Sequence, residues 1–295
     1  MKQKAPRGVL TALITPFHEG GAFDESTFLS LIDRQLEAGV HGLVPCGTTG
    51  ETPTMSGEEW ERVITLTVQR AAGAIPVVPG TGSNSTRATI EKTRRAAELG
   101  ADAVLVVTPY YNKPNPDGMV AHYRAVAEEG GLPIVVYNVP ARTGINLTPD
   151  LLGRVWEIPG VCSVKEAAGD LSQAMTILAR RPQGFTVLSG EDELICPMTL
   201  LGGDGVISVL SNVDPEGTVK MVEAAWNGDV EASRAEHFRL LPLVRALFAE
   251  SNPVPVKAAL QRLGLCTDVV RPPLAAASEA TRRSLDEALA GASLR

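Results

Sequence analysis

One periodicity constrains this chain more than any other feature. Short apolar runs, bounded by Gly or Pro and rich in β-branched residues, occupy 9–14, 40–46, 75–79, 103–107, 133–138, 161–166, 185–188 and 205–210. Between them apolar residues recur at the spacing of an amphipathic helix, over 24–38, 56–72, 86–99, 118–129, 149–156, 171–180 and 194–201. Apolar runs this short read as buried strands, and a strand reached through a helical crossover lies parallel to its neighbour. Eight such units in a row, with no run left unpaired, specify an α/β fold closed into a (β/α)8 barrel rather than an open doubly wound sheet. An open dinucleotide-binding sheet would place GxGxxG after its first strand, where this chain has Pro16-Phe17-His18-Glu19-Gly20. Gly80-Thr81-Gly82 lacks the third glycine, and no phosphate-loop signature occurs. From about Pro215 only helical spacing remains, over 219–226, 230–248, 254–263 and 275–289. The expected organisation is a barrel over 1–213 and a C-terminal helical domain, 214–295, packed on it.

With 295 residues and 44% hydrophobic content, the chain can bury a core of that size. Its net charge of -7 argues against nucleic acid or a membrane surface as partner. No apolar run approaches the ~18 residues of a membrane span, and Met1-Lys2-Gln3-Lys4-Ala5-Pro6 lacks the apolar core of a signal peptide. Cys46, Cys162 and Cys196 sit in apolar surroundings, Cys266 stands apart, and no CxxC pair occurs, which reads as reduced thiols of a cytoplasmic protein. His18, His41, His122 and His237 show no metal-ligand spacing, so no metal site is expected.

In such a barrel the working side chains collect at the carboxyl ends of the strands. Those positions hold Gly47-Thr48-Thr49-Gly50-Glu51, Thr108-Pro109-Tyr110-Tyr111-Asn112, the stretch from Tyr137 to Gly144, Lys165, Ser189-Gly190 and Ile207-Ser208. Lys165 is the most informative, because burying an ammonium at the end of an apolar strand is costly. A free lysine titrates near ~10.4 and an amine nucleophile works best near ~7 to 8, a gap of about 4 kcal/mol that burial and nearby cations can supply. The residue is therefore either a Schiff-base nucleophile for a carbonyl substrate or a snorkelling, ion-paired lysine. Residues 47–51 suit a carboxylate held by backbone N–H groups, or a plain turn with a helix cap. Aromatics make up only 4% of the chain, so adjacent Tyr110 and Tyr111 at a strand end read as functional before packing. Tyr137, on the strand beside Lys165, is placed to relay protons. Arg142 offers a fork for a carboxylate, or a surface ion pair. The rival Lys113 lies among polar Asn112, Pro114 and Asn115, with nothing to lower its pKa, and Lys257 follows Pro255 and Val256 in the helical region, away from the mouth.

The motifs GTTGE (47–51), TPYYN (108–112), YNVPARTG (137–144), SVKEAAGD (163–170) and GVISVLSN (205–212), with PVPVKAAL at 253–260, stand in the order seen in the dihydrodipicolinate synthase family. The chain resembles that family of pyruvate-dependent class I lyases over essentially its whole length. The resemblance implies condensation of pyruvate with L-aspartate 4-semialdehyde, in the diaminopimelate route to lysine, with no metal or organic cofactor. It implies that Lys165 forms the Schiff base and that Thr49 and its neighbouring amides hold the pyruvate carboxylate. Tyr137, Thr48 and Tyr111 would form a hydroxyl relay, Tyr111 reaching into a neighbouring subunit. Arg142 would bind the semialdehyde carboxylate, and Gly190 and Ile207 would place backbone near pyruvate. A shared Tyr111 implies at least a dimer, and the resemblance favours a homo-oligomeric tetramer built as a dimer of dimers, with the simple dimer left open. In lysine-sensitive relatives a pocket at the dimer interface binds the effector; Tyr110 and Asn84 match it, but Gly57, Trp60 and Ala88 replace its histidines and glutamate. That departure predicts weak or no inhibition by lysine. Two alternatives stay open: a sibling aldolase acting on N-acetylneuraminate or 2-keto-3-deoxy-sugar acids, which generally lacks an arginine at 142, and a non-catalytic keto-acid-binding barrel.

Overall fold

The computed structural model describes residues 5–294; Met1–Lys4, part of the stretch read above for a leader, lie outside the described residues. Among the described residues, seven parallel strands form one sheet: β1 (Gly8–Ala12), β2 (Gly42–Val44), β3 (Val104–Val107), β4 (Ile134–Asn138), β5 (Val161–Glu166), β6 (Thr186–Ser189) and β7 (Gly205–Ser208), in the order β2-β1-β7-β6-β5-β4-β3. The stretch 77–80 joins the two edges. Val78 donates its N–H to the carbonyl of Leu43 (2.8 Å) and Gly80 donates to Pro45 (3.0 Å). On the other side Leu105 donates to the carbonyl of Pro79 (2.9 Å) and Thr81 donates to Leu105 (3.1 Å). The ring is therefore closed, and the fold is the expected (β/α)8 barrel with one irregular stave. The sequence predicts a regular third strand over 75–79; Pro76 and Pro79 lack the N–H groups that would extend its ladder, so only isolated bridges form. Gly80 also has no room for a side chain: an added Cβ would fall 2.1 Å from the carbonyl oxygen of Cys46.

Strand alternation sorts the side chains. Leu10, Val44, Val135, Tyr137, Leu188 and Ile207 fill the barrel interior, while Val9, Leu43, Val136, Val164 and Val206 pack outward under the helices. The same alternation in β5 sends Ser163 and Lys165 inward and leaves Val164 on the helix side.

Helix starts follow their caps. Ser56 accepts from the N–H of Glu59 (3.1 Å) while Glu59 accepts from the N–H of Ser56 (2.9 Å), the predicted capping box of helix Gly57–Ala71. The last helix runs Glu279–Gly291 rather than 275–289, because Ser278 caps it and is itself held by Glu250. Helix Pro215–Trp226 packs against β1 and helix Ile195–Leu200; helices Val230–Leu247, Val254–Arg262 and Glu279–Gly291 pack on one another. Among the described residues, no helix is long and apolar enough to cross a membrane.

Candidate active site

β5 carries Lys165 to its carboxyl end in register with Tyr137 of β4 and Leu188 of β6. The lysine is 6% exposed, and its Nζ lies 4.4 Å from the centre of the Tyr137 ring. A cavity of about 530 Å³ opens above this pair, walled by Thr48, Thr49, Tyr137, Arg142, Lys165 and Gly190, together with Glu191 and residues 248–252. Thr48 and Thr49 come from the turn after β2, and Arg142 from the short helix Pro140–Thr143 that follows β4. Gly190, just past β6, makes room for the lysine: a Cβ there would meet Ala167 at 2.5 Å and Lys165 Cε at 3.1 Å. Six of the eight residues singled out from sequence thus share one chamber. Ile207 is buried in the barrel interior and is not part of the cavity wall. Tyr111, 88% exposed and with φ of 66°, does not line this chamber in its own chain.

Burial lowers the Lys165 pKa from 10.5 to about 8; Asp192 and then Glu191 pull it back up, and Arg142 pushes it down. Burial likewise pushes Tyr137 up to about 12, against the pull of Arg142 and the Thr48 hydroxyl and with Glu191 adding to the rise. At neutral pH the tyrosine is therefore a phenol that donates and accepts, beside an amine that loses its proton within reach of neutrality.

Sequence reasoning missed three residues here. Asp192 is buried, and one of its carboxylate oxygens accepts from the N–H groups of Val209 (3.0 Å) and Leu210 (2.9 Å). Glu191 lines the cavity. Asn252 donates from Nδ2 to Thr49 Oγ1 (2.9 Å) and accepts at its backbone carbonyl from Arg142 Nη2 (3.3 Å). The available signals were the acidic run Glu191-Asp192-Glu193 straight after Gly190 and the Asn252-Pro253 break between helices. Lys257, set aside above, is buried in an ion pair with Glu51 and does not line the cavity.

A neighbouring cavity of about 460 Å³ shares Thr48, Tyr137 and Arg142 and extends to Ser83, Lys92 and Tyr110. Trp60 donates its indole N–H to the Gly80 carbonyl (3.2 Å), and the Lys92 ammonium lies 5.9 Å from the Trp60 ring. Among the described residues, no group of three or more His, Cys, Asp or Glu side chains is arranged to hold a metal ion.

The chain is 50% identical over 284 residues to a 4-hydroxy-tetrahydrodipicolinate synthase from Thermomicrobium roseum, covering 96% of this chain and 94% of the relative. It is 49% identical to the enzyme of the same name from Methanospirillum hungatei, over 96% of this chain and 98% of the relative. Among solved structures, dihydrodipicolinate synthase from Thermotoga maritima superposes with a TM-score of 0.96 at 43% identity, over 99% of this chain and 100% of that one. The chloride-inhibited enzyme from Acinetobacter baumannii, complexed with pyruvate, gives a TM-score of 0.96 at 39% identity over 98% of this chain and 99% of that one. A model of the dihydrodipicolinate synthetase family matches residues 5–292, and the chain belongs to that family.

Proposed function

We propose that this chain is a 4-hydroxy-tetrahydrodipicolinate synthase, a lyase that joins pyruvate to L-aspartate 4-semialdehyde through a Schiff base on Lys165. The observation that carries the reading is a buried amine titrating at about 8 on the floor of a chamber that also holds a phenol and a guanidinium. Its neutral form attacks the C2 carbonyl of pyruvate, and water leaves as the iminium forms; Tyr137 and Thr48 carry the protons. Loss of a C3 proton gives an enamine, whose C3 attacks the aldehyde carbon of the semialdehyde. The product's own amino group then attacks C2 and expels Lys165 as the ring closes. Thr49 Oγ1 accepts from Asn252, which leaves its own proton free for the pyruvate carboxylate. Arg142, held at the rim by the Asn252 carbonyl, is the fork for the semialdehyde carboxylate. That arginine, and relatives at 44–50% identity that carry one enzyme name, favour this reading over a sugar-acid aldolase.

The same reading makes the protein a cytoplasmic homo-oligomer, a dimer of dimers, in which exposed Tyr111 completes a neighbour's relay. It assigns catalysis to the barrel of 1–213 and leaves 214–295 as the helical domain, whose first helix, Pro215–Trp226, also packs on β1. Borohydride reduction with pyruvate, followed by peptide mass analysis, tests the chemistry: the adduct is expected on Lys165. A coupled assay with aspartate semialdehyde tests the second substrate. An unmodified Lys165 would point to a keto-acid-binding barrel without catalysis.

A further inference from the structure

Glu51 is the last residue of the hydroxyl-bearing turn after β2, and its backbone is left-handed (φ 57°, ψ 33°). A non-glycine residue adopts that region at a cost. The cost has a visible return, because both carboxylate oxygens are occupied. Oε1 accepts from Lys257 Nζ at 2.5 Å, and Oε2 accepts from the N–H of Arg271 at 2.9 Å. The Lys257 ammonium also donates to the carbonyl of Val269 (2.8 Å) and sits 4.0 Å from the centre of the Phe17 ring. The two side chains are 0% and 1% exposed. An apolar pair of similar volume would hold such an interior at least as well. What an ion pair adds is direction, since it fixes where the turn must sit.

We propose that Glu51 and Lys257 are positioning residues for substrate binding: their buried pair locks the 47–51 turn, and so Thr48 and Thr49, against helix Val254–Arg262. The turn moves as one piece, because Gly50 donates to the carbonyl of Gly47 (3.1 Å) and Glu51 donates to that of Thr48 (3.1 Å). A second tether, Asn252 to Thr49, comes from the residues just before the same helix. Neither Glu51 nor Lys257 lines the cavity, so they act through the hydroxyls they place. The inference rests on the pyruvate reading above.

Removing one partner strands the other charge out of water, so the deciding variant is the full-length double substitution E51Q/K257M, which removes both charges. Misplacing a binding group by about an ångström costs up to about a hundredfold. For a variant shown by circular dichroism to be folded, the pyruvate KM should rise about tenfold or more. Borohydride trapping at subsaturating pyruvate should slow by the same factor. A purely structural pair would lower the unfolding temperature and leave KM and kcat within about twofold of the parent, and that result overturns the proposal. Should the double variant not fold, E51D, which keeps the charge and withdraws it by one methylene, is read by the same criterion. An unmodified parent would refute the pyruvate reading itself; a trapped parent with matching variants refutes only the positioning role.

Discussion

Replacing Lys165 by methionine should make this protein more stable and inactive in one step. The lysine is buried and its pKa falls from 10.5 to about 8, chiefly through burial. In the unfolded chain the same amine holds its proton up to the ordinary value. Between about 8 and 10.5 the unfolded state therefore binds more protons than the folded one, so stability rises with pH across that window. Below about 8 the penalty of burying the charge is present in full, and at 1.36 kcal/mol per pH unit it is worth about 3 kcal/mol. Methionine has a similar length and no charge. At pH 7 Lys165→Met should gain up to about 3 kcal/mol, a net figure that already includes the attraction of Asp192 and Glu191 for the ammonium. The gain should shrink toward zero as pH approaches 10.5. Urea unfolding of both proteins at pH 7 and near pH 10, followed by circular dichroism, reads the difference. A variant no more stable than the parent at pH 7, or a gain that does not shrink with pH, refutes the argument that burial sets this lysine's pKa.

Three further outcomes follow from the same geometry. The rate of pyruvate trapping should rise about tenfold from pH 7 to 9 and then level off, whereas an ordinary lysine would keep gaining about tenfold per pH unit to 10; in Asp192→Asn, which loses the strongest carboxylate support of the ammonium, the midpoint should move below that of the parent. Arg142→Ala should cripple turnover of the semialdehyde in a coupled assay while pyruvate adduct formation persists; intact turnover would remove Arg142 from its assigned role. Sub-millimolar lysine should leave turnover nearly unchanged, because Ala88 offers no carboxylate to an effector ammonium, a contact worth about 1.5–3 kcal/mol.

The sequence made some of this legible because the determining physics was local. Alternation along β5 is enough to turn Lys165 into the barrel, and the apolar run around it is enough to bury it. The capping box at Ser56 and Glu59 spans a single turn of chain, so it could be read directly. The third stave misled because apolar content outweighed two missing N–H groups, which count only once neighbouring strands seek partners for their carbonyls and amides. The partner of Lys257 was illegible for a different reason. Helical spacing says which face a lysine occupies, but not that its partner is Glu51 in the turn after β2, and a lysine beside two apolar residues gives no hint of the charge it meets. The same holds for Asn252, which reaches Thr49 from the far end of the chain. The strands' period is a property of each segment alone and survives without the fold. The supports of the 47–51 turn are contacts between segments, and only the closed barrel, with its C-terminal helices laid against the mouth, brings their charges and hydroxyls within hydrogen-bonding distance.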